Sequence, residues 1–235
     1  MQKELPIPGE KKLQPAVEKK PQDRSVQIYS TKRIRKKKFR HVEVGEYGAL
    51  IGEIEARCNI MLYGPSGGGK TVFAIRLANY LSKKYGKTLY ASHEEDTNKS
   101  VVDRINEWSI DSEKMYFAGR MTFEQFCKKV KSNKYRVCVI DSLQYAEFTY
   151  DQLKKFREMF KKRHIILIMV SFGTAMSKTL GFNDHLHASD VKLYFKDGYV
   201  TSHGRYIGKP VKQKLFKIEE IALEGELFNE TTKHI

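Results

Sequence analysis

The stretch NIMLYGPSGGGKTVFAIRLANYL, Asn59–Leu81, decides the fold. An apolar run ends at Tyr63, the eight residues GPSGGGKT occupy Gly64–Thr71, and an amphipathic pattern of helical period begins directly after them. Glycines let backbone N–H groups converge on phosphate oxygens, and the following helix turns its positive end toward the same anion. Gly64, Pro65, Ser66, Gly67, Gly68 and Gly69 would form the cradle, Lys70 would reach the β and γ phosphates, and the Thr71 hydroxyl would ligate Mg²⁺. A strand before the loop and a helix after it are the context this motif requires. The ligands expected are therefore a nucleoside triphosphate, taken as ATP, and Mg²⁺.

Working outward, short β-branched runs alternate with amphipathic stretches, the pattern of βαβ units and a largely parallel sheet. Strands are expected at Asn59–Tyr63, Lys87–Ser92, Lys114–Gly119, Tyr135–Asp141 and His164–Val170. Helices are expected at Thr71–Lys84, Asn98–Glu107, Thr122–Ser132 and Tyr150–Lys162. Residues 171–189 show no clear period. Val191–Phe195, the turn Lys196–Gly198 and Tyr199–His203 read as a hairpin, and Lys212–Ile221 as a last strand.

The segment 1–40 is rich in Lys, Glu, Gln and Pro with few large apolar residues, so a flexible basic arm is expected there. The core is placed at 41–221 and a tail at 222–235. The arm ends in TKRIRKKKFR, Thr31–Arg40, which would neutralise several phosphates without reading sequence, or serve as a solubilising linker. Over all 235 residues, 43 Lys and Arg oppose 28 Asp and Glu, a net charge of +15. That excess favours a polyanionic partner, nucleic acid first, over a merely solubilising surface.

Cys58, Cys127 and Cys138 are scattered without a CxxC pair, which supports neither a zinc site nor a disulfide framework and suggests a reducing, cytoplasmic setting. No apolar run approaches the ~20 residues of a membrane span, so a soluble protein without membrane contact is expected.

Three further positions carry chemistry. Asp141 closes the apolar run RVCVID and would hold Mg²⁺ through water. The run KTLYAS leads into HEED, which sets Glu94 and Glu95 at a strand end, where either one would activate the attacking water. Tyr145, Phe148 and Tyr150 are rings for stacking on bases or for packing.

The succession GPSGGGKT, LYASHEED, VCVIDSLQ, then GFNDHLHASDVKLYF and YVTSHGRYIG resembles the RecA-type ATPase family, most closely its RadA (Sms) branch. The resemblance spans Val44–Gly208. It implies an α/β fold, a RecA-like P-loop NTPase core with a mostly parallel central sheet flanked by helices and a C-terminal β-hairpin. It also implies a homo-oligomeric ring or filament whose neighbours share each ATP around DNA, single-stranded DNA being favoured. By matched motif it implies Glu94 as the water-activating carboxylate and Asp141 as the magnesium-supporting one. HGRY, His203–Tyr206, falls where the branch carries a lysine-asparagine-arginine-phenylalanine motif that acts towards a neighbour's nucleotide or towards DNA, which implies Arg205 as a catalytic finger reaching a neighbour's γ-phosphate.

The sequence departs from the branch at several points. His203 replaces the lysine, Phe172 stands where relatives place a polar phosphate sensor, and the branch's four-cysteine zinc element and protease-like domain have no counterpart. The resemblance implies DNA contact for residues 171–189, with Lys178, His185 and His187 as phosphate ligands, although His187 and Asp190 also match a family pattern that simply introduces the next strand. Two readings follow: a DNA-stimulated ATPase of recombination, repair or replication, or a nucleotide-gated adaptor with weak ATPase activity that recruits a protein. A small-molecule kinase is disfavoured by the lack of an arginine-rich lid.

Overall fold

The computed structural model describes residues 28–173 and 182–215. Contacts divide the chain into two units, Met1–Lys38 and Phe39–Ile235. In the first, α1 (Thr31–Arg35) is one helical turn whose N-cap Ser30 accepts from the Arg33 N–H. Arg33 and Lys37 stand over the Tyr29 ring at 5.1 and 5.6 Å.

The second unit runs α2 (Gly48–Ile51), β1 (Asn59–Tyr63), α3 (Lys70–Lys84), β2 (Thr88–Ser92), α4 (Lys99–Glu107), β3 (Met115–Ala118), α5 (Phe123–Asn133) and β4 (Val137–Asp141). It continues with α6 (Leu143–Ala146), α7 (Tyr150–Met159), β5 (Ile166–Ser171), α8 (Phe182–Ala188), β6 (Val191–Lys196), β7 (Tyr199–Gly204) and β8 (Val211–Lys214). One sheet holds all eight strands in the order β3-β2-β4-β5-β1-β6-β7-β8. The first six in that order are parallel, while β7 and β8 close one side antiparallel. The α/β class and the terminal hairpin expected from the sequence are both present.

Successive residues of a strand face opposite sides of the sheet, and here both sides are covered. Ile60, Leu62, Val137, Val139, Ile166 and Ile168 pack with Phe73, Leu77 and Leu81 of α3. Met61, Cys138, Ile140, Leu167 and Met169 pack with Phe126 and Val130 of α5 and Leu153 and Phe156 of α7. The central strands are therefore almost uniformly apolar, and Cys58, Cys127 and Cys138 are all buried within them or against them.

Helix starts follow local chemistry. Thr122 and Gln125 form a reciprocal capping box before α5, and Thr149 and Gln152 form another before α7. The expected helices are found with ends shifted by a few residues. Helix α8 lies inside the segment that shows no period, because its inward face is only Phe182 and His185, too short to register. Residues 174–181 and 216–235 lie outside the described residues, and with them Lys178, the end of the expected last strand and the tail. Among the described residues, no helix is long and apolar enough to cross a membrane.

Phe156 is fully buried between Phe126 and Phe160, with ring centroids 5.3 and 4.8 Å away. Phe156→Ala is expected to cost about 3–5 kcal/mol in urea unfolding, whereas Tyr145→Ala, at a half-exposed ring, stays within about 1 kcal/mol. Similar losses for both would refute this account of the core.

Candidate functional site

In a parallel sheet every strand ends at the same edge, and β1, β2 and β4 deliver Gly64, His93 and Asp141 there. Gly64 has φ +142°, and a Cβ on it would run into the Phe195 carbonyl oxygen of β6. Only glycine lets the chain leave β1 this way. Gly69 caps α3 in the left-handed region at φ +83°, so the loop turns directly into the helix. Pro65, Ser66 and Gly67 are exposed, and a side chain at Gly67 would meet nothing within 4 Å. The loop thus offers an open concave backbone at a helix N-terminus, which suits an anion.

Lys70 is only 4% exposed, and its Nζ donates to the Pro65 carbonyl at 2.6 Å. The ammonium also lies 5.4 Å from the centre of the Phe172 ring. Burial lowers its pKa, against the opposing charges of Asp141 and Glu94. Burial raises the Asp141 pKa, while hydrogen bonding from the Tyr90 and Thr71 hydroxyls holds it down. Tyr90 donates to Oδ2, and the buried Oδ1 has no hydrogen-bond partner among the described residues. An orphaned carboxylate oxygen beside the Thr71 hydroxyl is an oxygen donor set of the kind Mg²⁺ takes through water.

The two neighbouring glutamates differ. Glu95 is held by both guanidinium nitrogens of Arg104, one at 2.8 Å, and by the Ser100 hydroxyl at 2.7 Å, which together lower its pKa. Among the described residues Glu94 has no such clamp. Its pKa is raised by burial and by the charges of Asp141 and Glu95. The backbone N–H groups of His93 and Glu94 both donate to the Asp141 carbonyl, at 2.6 and 3.2 Å, which ties the two strand ends together. Gln144 bridges to β5, donating to the Ser171 hydroxyl at 2.6 Å and accepting from the Phe172 N–H at 3.3 Å.

Arg205 is not part of this cluster. Val191 opposes Gly204 in the hairpin and Ile60 in β1, so Arg205 emerges at the sheet edge opposite the phosphate loop. Its guanidinium pairs with Asp190 at 3.0 Å and its side chain is 73% exposed. His203 is also exposed. Of the remaining candidates, Phe148 is buried against the rings of His93, Phe123 and Phe126. His185 is buried against Tyr150 and presents nothing to solvent, whereas His187 is exposed. Tyr145 is the exposed ring of the group, edge-on to Phe172.

With this geometry in view, comparison with known proteins separates family from fold. A family described as Type III restriction enzyme, res subunit (ResIII), matches residues 20–170. The chain belongs to the ResIII family. No curated protein sequence matches it. Among solved structures, the KaiC-like protein PH0186 of Pyrococcus horikoshii OT3 aligns with a TM-score of 0.55 at 16% identity, over 75% of this chain and 93% of that one. The flagellar accessory protein FlaH of Methanocaldococcus jannaschii aligns with a TM-score of 0.59 at 13% identity, over 76% and 96%. At these identities the likeness shows the fold: a RecA-type P-loop core.

Within this ResIII chain, sequence reading missed Tyr90, Arg104 and the Gln144–Ser171 bridge. Tyr90 and Arg104 carry no local signal, because each acts only on a carboxylate brought close by folding. Gln144 was visible in the DSLQ ending, although nothing in the linear order pairs it with Ser171.

The raised Asp141 pKa has a thermodynamic consequence. The native state holds the Asp141 proton more tightly than the unfolded chain, so stability falls as pH rises from the ordinary carboxylate range through the raised value. Asp141→Asn is therefore expected to raise the unfolding midpoint at pH ~7 in chelator, with the gain vanishing below pH ~3, where the carboxyl is protonated in both states. A gain of equal size at both pH values, or a loss near neutrality, would contradict this origin.

Proposed function

We propose that this chain is an ATPase of the RecA type that acts on nucleic acid, in the manner of the RadA-like branch, in recombination, repair or replication. One observation carries the reading: Glu94 is the unclamped carboxylate at the edge where Lys70, Thr71 and Asp141 converge. Bound Mg²⁺ would supply charge neutralisation across the β and γ phosphates. Backbone N–H groups of Ser66–Gly69 would hold the phosphate oxygens, and Lys70 would exchange its Pro65 carbonyl for them. Asp141 and Thr71 fix the cation's position. Glu94 accepts a proton from the attacking water, and its raised pKa brings it closer to the working pH of a general base. The basic composition supports a nucleic-acid partner and the scattered cysteines support a cytoplasmic setting.

Arg205 would act on a neighbour's nucleotide in a ring or filament, since its own loop lies at the other edge of the sheet. That role requires exchange of the Asp190 pair for phosphate. A second reading, a nucleotide-gated adaptor with slow turnover, is favoured by Phe172, whose ring covers the Lys70 ammonium in place of a polar sensor.

ATPase rates with and without single-stranded DNA decide between these readings. The first expects stimulation by DNA, and Glu94→Gln is expected to lower kcat about 10²–10⁴-fold. The pH–rate profile of the parent should rise through an apparent pKa above the ordinary glutamate range, and that limb should be lost in Glu94→Gln. Unchanged turnover in Glu94→Gln would remove the assignment, and DNA-independent slow turnover would favour the adaptor.

The shared site has its own test. Lys70→Ala and Arg205→Ala chains are each expected to be inactive, and mixing them should restore part of the rate. No recovery on mixing would argue against action in trans.

A further inference from the structure

The net charge of +15 is concentrated in two places. Residues 31–40 hold seven Lys and Arg with no acid, and residues 123–134 and 150–163 together hold ten against three Asp and Glu. Elsewhere positive and negative charges nearly balance, with a net excess of one. The second concentration lies on α5, α7 and the residues that follow each.

These two helices cover one face of the sheet side by side. Phe126 of α5 stacks on Phe156 of α7, the Lys155 charge bears on Cys127, and Arg163 Nη1 donates to the Val130 and Lys131 carbonyls at 3.0 Å. Lys128, Lys131 and Lys155 are all exposed along this seam. Among the described residues no carboxylate comes within ion-pair distance of them, whereas Lys161 pairs with Glu158.

Arginine and lysine divide the labour here. Arg136, Arg157 and Arg163 turn inward and donate to the carbonyls of Arg163, Ile165 and Val130 respectively. The lysines are left for solvent. The acids Glu124 and Asp151 sit in the first turns of α5 and α7, where they complement the helix N-termini. Both helices begin at the nucleotide edge and run back along the sheet, so the lysine-rich halves lie away from the phosphate loop.

We propose that the α5–α7 face binds the phosphate backbone of a nucleic-acid duplex without reading its sequence, at a surface separate from the ATP site. Lysine, a hydrated point charge on a flexible stem, neutralises phosphates along a backbone without demanding one fixed geometry. No exposed aromatic ring stands on α5 or α7, so unpaired bases have no stacking platform there, which favours a duplex over a single strand. This inference rests on the nucleic-acid reading above but concerns affinity, not turnover.

The test uses the full chain and a labelled DNA duplex of about 30 base pairs, with affinity followed from about 50 to 200 mM salt. The face variant carries Lys128→Gln, Lys131→Gln and Lys155→Gln. A control of equal charge change carries Lys209→Gln, Lys212→Gln and Lys214→Gln, also exposed. In the face variant the slope of log K against log salt should fall in magnitude by about 2–3, at ~0.9 per phosphate contact. Low-salt affinity should drop at least about tenfold, and the control should change little.

Equal losses in both variants, or none in the face variant, would overturn the surface while leaving DNA-stimulated ATPase activity intact. A loss confined to single strands, or to phosphatidylserine vesicles with duplex binding unaltered, would overturn it too. A parent chain that binds no nucleic acid at about 50 mM salt would sink both this surface and the function proposed above.

Discussion

Six parallel strands sealed on both faces push charge to the two edges of the sheet, and Lys70 and Asp141 gather at the one where the carboxyl ends stop. There Asp141, almost fully buried, sits in the field of the equally buried Lys70. Among the described residues neither charge has a direct ion-pair partner, and burial shifts each toward its uncharged form. Such an arrangement is costly in a bare protein and is relieved by a polyanion together with a divalent cation. The phosphate loop, Tyr90 and the unclamped Glu94 all take their meaning from that tension.

Strand order sets which groups share the edge. One strand, β5, lies between the loop strand β1 and the Asp141 strand β4, and β2 follows on the far side. Glu94 is thereby held next to Asp141 by backbone hydrogen bonds. The Arg104 clamp then separates two adjacent glutamates by chemistry: Glu95 is committed to an ion pair and Glu94 is left poised. The same economy appears on the opposite side of the chain, where arginines staple carbonyls and lysines face water.

Much of this was legible beforehand because it is local. Glycine spacing reports the loop, period-two and helical patterns report β1, α3 and the other long elements, and capping residues mark the starts of α5 and α7. Helix α8 was not legible, having only two inward residues. Phe148 was open to stacking or packing and His185 to phosphate contact, and their burial depends on neighbours that are distant in sequence. For Arg205 the family resemblance implied a finger on a neighbour's nucleotide, and only the hairpin register reveals that it leaves the sheet at the far edge, paired with Asp190.

By itself, the sequence determined that the chain folds as a mostly parallel α/β core with a phosphate loop at Gly64–Thr71, because spacing, glycine content and hydrophobic period are written in consecutive residues. Tertiary structure alone decided which glutamate stays free, which oxygen of Asp141 is left without a partner, and where the lysines of α5 and α7 meet. Those outcomes depend on distances between side chains far apart in the chain, and only the packing of strands and helices sets them.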